Sequence, residues 1–265
     1  QLFDLPVVGG GINGAGIARD AAGRGLSVAL CEQDDFAAHT SSASTKLIHG
    51  GLRYLEHFEL RLVRKALQER EVLIDSAPHI MLPLRFVMPY APHLRPEWMI
   101  RIGLFLYDHL ARRRRLPGSR RIDLRRHAAG KPLQHDYRTG FVYSDGWVDD
   151  ARLVVLNVKD AAERGAAIFA RHRCTELTRG AAQWQAVLTD SGGREQRLRA
   201  RAVVNATGPW VGEFLRGTAK LQSSSHLRLV KGSHIVVRRL FAHSYAYIFQ
   251  GKDQRIAFAI PYEQD

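Results

Sequence analysis

The sequence predicts an α/β fold in which a parallel sheet with a βαβ nucleotide unit is interrupted by a segment that builds a second region of sheet and helix. Three observations point there. The first 32 residues alternate strand, glycine turn, helix and strand; residues 202–210 read as a buried strand entering a small-residue turn; and the stretch between them, rich in proline and arginine, leaves that alternation. With 265 residues, 45% hydrophobic and 25% charged, the chain is long enough to bury one or two cores. Disordered and collagen-like classes do not fit this composition. No run of about 18 uncharged apolar residues occurs, so no helix is expected to span a bilayer, and any membrane contact would be peripheral.

In residues 5–32, Val7 and Val8 supply a short strand, Gly9-x-Gly11-x-x-Gly14 a turn, Ala15–Ala22 a helix of small residues, and Leu26–Cys31 a second strand that ends at Glu32. Glycines at this spacing allow the tight turn, close approach of main chain to a pyrophosphate and close helix–strand contact, while the helix N-terminus offers unpaired N–H groups to phosphate. Gly9, Gly11, Asn13 and Gly14 are therefore candidate dinucleotide contacts. Glu32, at the end of the second strand, is the candidate acceptor for an adenosine ribose. Pro6 lacks a ladder donor and is expected only as the first residue of its strand.

Apolar positions 60, 63, 67, 73 and 74 predict an amphipathic helix within 58–77, ended by Pro78, and a second apolar helix is predicted over 98–110, followed by Arg112–Arg115. Residues 78–95 read as extended segments and turns, and 119–140 as a basic surface loop. Asp149 or Asp150 caps a helix running through Ala162 and closed by Gly165. Strands follow at 166–171, 183–189 and 197–204, with Ser191-Gly192-Gly193 as a hairpin turn, then at 227–239 and 245–260.

Cys31 and Cys174 are too few and too far apart for a disulfide scaffold or a paired-cysteine zinc site, so no metal is expected and a reducing compartment fits. The N-terminus shows no basic segment followed by an apolar core, so no signal peptide is expected. Lys+Arg outnumber Asp+Glu by 39 to 26, a net charge of +13. That charge is spread along the chain without a nucleic-acid motif, so nucleic acid is not an expected partner. An acidic substrate, a dinucleotide and an anionic membrane account for it equally well.

The segment Gly9-Gly10-Gly11-Ile12-Asn13-Gly14-Ala15-Gly16, together with Thr40-Ser41-Ser42-Ala43-Ser44-Thr45-Lys46-Leu47-Ile48-His49-Gly50-Gly51-Leu52-Arg53-Tyr54-Leu55, resembles the two signatures of the FAD-dependent, quinone-linked glycerol-3-phosphate dehydrogenases of aerobic metabolism. Tyr143-Ser144-Asp145-x-Trp147-Val148-Asp149-Asp150, Lys231-Gly232-Ser233-His234 and Asn205-Ala206-Thr207-Gly208-Pro209-Trp210 are similar to further segments of that family. The resemblance implies a flavoprotein fold of the D-amino-acid-oxidase and glutathione-reductase type. Its FAD-binding domain would be discontinuous, 1–77 and 145–222, with a substrate domain over 78–144 and 223–265. Members of that family are longer, so the resemblance covers an N-terminal portion, and the family's later phosphate-binding arginines are not represented here.

The implied reaction oxidises sn-glycerol 3-phosphate to dihydroxyacetone phosphate, with hydride transfer to FAD and electrons passed to quinone. Alternatives are an oxidase using O2 and a non-catalytic FAD-binding fragment. His49 is the candidate base, an imidazole being suited to proton transfer near neutrality. Arg53 and Tyr54 are candidate phosphate contacts. Ser41, Ser42, Ser44, Thr45, Lys46, His49, Gly50, Thr207 and Gly208 are candidate FAD contacts, and the Arg173-Cys174 backbone is a weaker one at adenine. The resemblance also implies a cytoplasmic protein at the inner face of the membrane, with a possible homodimer.

Overall fold

The computed structural model describes residues 1–222, 227–253 and 255–262. In chain order the elements begin with β1 (Leu2–Phe3), β2 (Leu5–Val8), α1 (Ile12–Gly23), β3 (Val28–Glu32) and β4 (Leu47–Ile48). They continue with α2 (Leu60–Ser76), β5 (Met81–Pro89), α3 (Glu97–His109), β6 (Arg120–Asp123), β7 (Thr139–Val148) and α4 (Asp150–Glu163). The remaining strands are β8 (Ala167–Ala170), β9 (His172–Arg179), β10 (Trp184–Asp190), β11 (Glu195–Ala200), β12 (Val204–Asn205), β13 (Ala246–Gln250) and β14 (Ile256–Ala259). Two compact units result, Gln1–Thr45 with Asp149–Gly232, and Lys46–Val148 with Ser233–Asp265.

The first unit is layered around a parallel sheet ordered β12-β2-β3-β8. β3 is buried along its whole length, and its side chains alternate between two cores, as a strand covered on both faces requires. Val28 and Leu30 join Ala15, Ala18 and Ala22 of α1 and Val154, Val158 and Ala161 of α4. Ala29 and Cys31 face Leu177, Ala186, Leu188 and Leu198 of the sheet β1-β11-β10-β9. Asp149 caps α4, its Oδ1 accepting the Arg152 N–H at 3.2 Å.

Pro6 sits second in β2, not first, and is buried. Leu5 and Gly9 donate to Ser27 and Cys31 on the β3 side, whereas Val8 accepts from Ala206 on the β12 side. Pro6 therefore faces the segment that enters β12, where Ala202 donates to the Asp4 carbonyl and regular pairing starts only at Val204 opposite Val7. The one rung that a residue-6 N–H would supply is missing at this sheet edge.

In the second unit a sheet ordered β14-β13-β5-β7-β4, with β6 also on β7, centres on the antiparallel β5–β7 pair. One face carries Leu84, Phe86, Phe141 and Tyr143 against Val63 and Leu67 of α2 and Leu104 and Tyr107 of α3. The other carries Val87 and Val142 with Ile122, Leu124, Ala129 and Tyr247.

Several sequence expectations change here. The compact-unit boundary falls after Thr45 rather than after 77, and 145–148 lie in the second unit. The reason is pairing and burial: β4 and β7 share a sheet, and the apolar stripe of α2 packs on that sheet. Residues 119–140 are not simply a surface loop, because β6 pairs with β7 and places Ile122 in a core. β7 and β9 were not anticipated as strands. Over 227–239 no strand forms, and Leu229, Val230 and Ile235 are exposed, because no edge among the described residues takes up that segment's N–H and C=O groups. Lys231 and His234 lie exposed within it.

Candidate functional site

The first unit contains a cavity of about 340 Å³ lined by Gly9, Gly11, Asn13, Glu32, Ser41, Thr207 and Gly208 from the predicted set. Strand β2 delivers the glycine loop to the cavity and α1 begins beyond it. Gly9 has φ +109°, and a Cβ there would lie 2.4 Å from the Ala206 carbonyl oxygen. A Cβ on Gly14 would lie 1.8 Å from the Gly9 carbonyl oxygen, so the helix reaches the loop only without a side chain at that position. The start of α1 carries no acidic residue and Gly11 offers no side-chain cap, leaving the positive end of the helix dipole for an anion.

Glu32 closes the loop from below. Its carboxylate accepts the Gly10 N–H at 2.6 Å and the Asp34 N–H at 2.9 Å, so the predicted ribose acceptor also fixes the glycine turn. Ser41 Oγ accepts the Ile12 N–H at 2.9 Å, supplying from a distance the cap that Gly11 lacks. Asn205 holds the opposite wall: its Oδ1 accepts from the Thr207 N–H and hydroxyl, and its amide donates to Val211. Gly208 then turns with φ +57°. His39 and Trp210, 4.9 Å apart edge to face, and Arg173 and Cys174 also line the cavity. Burial pushes the Cys174 thiol up to about 11, and Cys31 higher still.

Ser42, Ser44 and Thr45 do not line this cavity. Ser42 donates to the His39 carbonyl in a local turn, and Ser44 donates to Asp150 at 2.7 Å at the start of α4. Lys46, His49, Gly50, Arg53 and Tyr54 belong to the second unit. Lys46 Nζ lies 5.9 Å over the Tyr262 ring. Arg53 and Tyr54 are exposed on a short 3-10 helix, Leu52–His57, and among the described residues the Arg53 guanidinium has no carboxylate partner. His49 Nδ1 accepts the Gly51 N–H at 3.0 Å.

Beneath this loop lies a buried group that the sequence reading missed. Gly50 donates its N–H to Tyr107 Oη at 2.7 Å, Tyr107 donates to Asp145 at 2.7 Å, and Arg70 donates to the same Asp145 oxygen at 2.7 Å. Burial pushes the Asp145 carboxyl up, against the downward pull of Arg70, and holds the Tyr107 phenol well above its ordinary value. One signal was available: position 70 falls on the apolar stripe 63, 67, 74 of α2, where an arginine must be buried.

Over 262 residues the chain is 59% identical to glycerol-3-phosphate dehydrogenase of Pseudomonas aeruginosa, covering 99% of this chain and 51% of the relative. It is 54% identical to D-erythritol 1-phosphate dehydrogenase of Brucella abortus, covering 100% and 53%, and 54% identical to aerobic glycerol-3-phosphate dehydrogenase of Escherichia coli, covering 99% and 52%. The chain thus spans about half the length of these curated relatives. Among solved structures, glycerol-3-phosphate dehydrogenase from Bacillus halodurans complexed with FAD superposes with a TM-score of 0.67 at 26% identity, covering 99% of this chain and 46% of the other. The glycine cradle, the helix start without an acidic residue and the acid at the end of β3 fit a dinucleotide; residues 4–265 match the FAD dependent oxidoreductase model, so the chain belongs to that family and FAD is its cofactor.

Proposed function

We propose that this chain serves the oxidation of sn-glycerol 3-phosphate to dihydroxyacetone phosphate. The observation that carries this reading is 54–59% identity, along essentially the whole chain, to relatives named as glycerol-3-phosphate dehydrogenases. Bound FAD supplies the acceptor for the carbinol hydride. The chain's own residues divide the remaining work. The start of α1 and the Gly9–Gly14 loop take the pyrophosphate, Glu32 the adenosine ribose, His49 the hydroxyl end of the substrate, and exposed Arg53 with Tyr54 its phosphate.

The Brucella abortus relative supports a second substrate, a four-carbon polyol phosphate. Anaerobic addition of each compound to the FAD-loaded chain separates them: bleaching of the flavin absorbance by sn-glycerol 3-phosphate is expected, and bleaching by D-erythritol 1-phosphate alone would replace the substrate. Flavin that is bound but never bleached would favour a non-catalytic FAD-binding role. We assign quinone as the electron acceptor; faster reoxidation by O2 than by a soluble ubiquinone would overturn that.

A peripheral membrane seat is supported by α3. Trp98, Ile102 and Phe105 recur at helical spacing and are 60%, 52% and 59% exposed. The arginines that follow the helix are largely engaged: Arg113 pairs with Asp108, and Arg114 and Arg115 with Asp75. Cosedimentation with phosphatidylglycerol vesicles should therefore be lost in a Trp98→Ser, Phe105→Ser double variant and largely retained when Arg112 to Arg115 are replaced by Ser.

A further inference from the structure

Within the second unit, Arg70, Tyr107 and Asp145 are 1%, 2% and 3% exposed. A buried ion pair of this kind gives little net stability over apolar residues of the same size, so packing alone does not account for it. What the group does hold is one backbone donor. Because Gly50 can only donate through its N–H, Tyr107 Oη must accept there, and the phenol proton must then point to Asp145. Arg70 keeps Asp145 an acceptor. The direction of every hydrogen bond from the guanidinium to the loop is therefore fixed. Sterics fix its position as well: a Cβ on Gly50 would lie 2.3 Å from Leu67 Cδ2 and 2.9 Å from Tyr107 Cε2.

The loop in turn sets the imidazole. Gly51, at φ +71°, aims its N–H at His49 Nδ1. A ring nitrogen that accepts carries no proton, so in neutral His49 the proton resides on Nε2. The exposed edge of the ring is then a donor.

We propose that Arg70, Asp145 and Tyr107 are positioning residues that hold the His49-Gly50-Gly51 loop so that His49 presents Nε2–H to the substrate oxygen. This rests on the reading of His49 as the residue that meets the substrate hydroxyl. His49 then binds that oxygen as a donor and fixes its place; in this tautomer Nε2 does not itself take the hydroxyl proton.

The test is two-bond ¹H–¹⁵N correlation spectroscopy of ¹⁵N-histidine-labelled chain, with His49→Gln identifying the His49 signals among the twelve histidines. The wild type should show the Nε2–H pattern, and Tyr107→Phe, which deletes only the hydroxyl, should show a mixture of tautomers. In the flavin-bleaching assay the same variant should lose about tenfold in kcat with KM little changed. A wild-type Nδ1–H pattern, or a folded Tyr107→Phe protein with an unaltered His49 pattern, overturns the proposal. Should Tyr107→Phe not fold, the wild-type pattern alone decides. The spectra need neither flavin nor substrate. Failed bleaching with an Nε2–H pattern would therefore remove the oxidation reading and leave the positioning role standing, and bleaching with an Nδ1–H pattern would do the reverse.

Discussion

The nucleotide cradle of the first unit and the histidine loop of the second are built from opposite materials. The cradle is main chain: glycine N–H groups, a helix end and the Ala206 carbonyl pressed against Gly9, with Glu32 and Asn205 as the principal side-chain ties. The loop is held by side chains, a fully buried cation, anion and phenol under one glycine N–H. Changes to the cradle's side chains should therefore act on ligand binding with modest effect on folding, whereas filling its buried glycines or changing the groups beneath the loop should act on both.

The largest effect is expected in the cradle. Gly14→Val puts a branched side chain where a single Cβ already lies 1.8 Å from the Gly9 carbonyl oxygen, and should abolish FAD retention, read as the flavin-to-protein absorbance ratio after gel filtration. Retention of stoichiometric flavin would show that the helix start can move. Next is Arg70→Ala, which leaves Asp145 buried without its cation and should cost about 3–5 kcal/mol in urea unfolding. A loss confined to catalysis would contradict the contrast between the two regions. Smaller is Glu32→Gln, which keeps an acceptor for the loop but removes its charge; FAD affinity by fluorescence titration should fall about tenfold, the scale of one charge-assisted hydrogen bond. The smallest concerns the thiols. With Cys174 raised to about 11 and Cys31 above it, both should stay unreacted with Ellman's reagent at pH 8, where the thiolate fraction is small, and react on adding urea. Prompt reaction in the folded chain would mean that the cavity wall opens.

The contrast also explains what could be read from the sequence. Gly9, Gly11, Gly14 and Glu32 are legible because a main-chain cradle imposes a spacing on consecutive residues, and the Asp149 cap and the α1 alanines are legible for similar local reasons. Arg70, Tyr107 and Asp145 are far apart in the chain and meet only through the packing of α2 and α3 on β7. Position 70 alone carried a trace, a charge on an apolar stripe. The boundary after Thr45 was hidden because β4 is two residues long and gains its identity from pairing with β7. The segment 227–239 shows the converse: apolar residues alone do not make a strand where no neighbour receives them.

Pro6 has a consequence for alignment. β12 contributes only two residues to the sheet, too few to specify by hydrophobic pattern where it should stop along β2. The segment before it runs on beside β2 in the same register, Ala202 donating to the Asp4 carbonyl, so Pro6 leaves one rung empty between that bond and the one from Ala206 to Val8. The empty rung confines regular pairing to the two residues that lead into the Ala206–Thr207 turn, where the main chain meets Gly9.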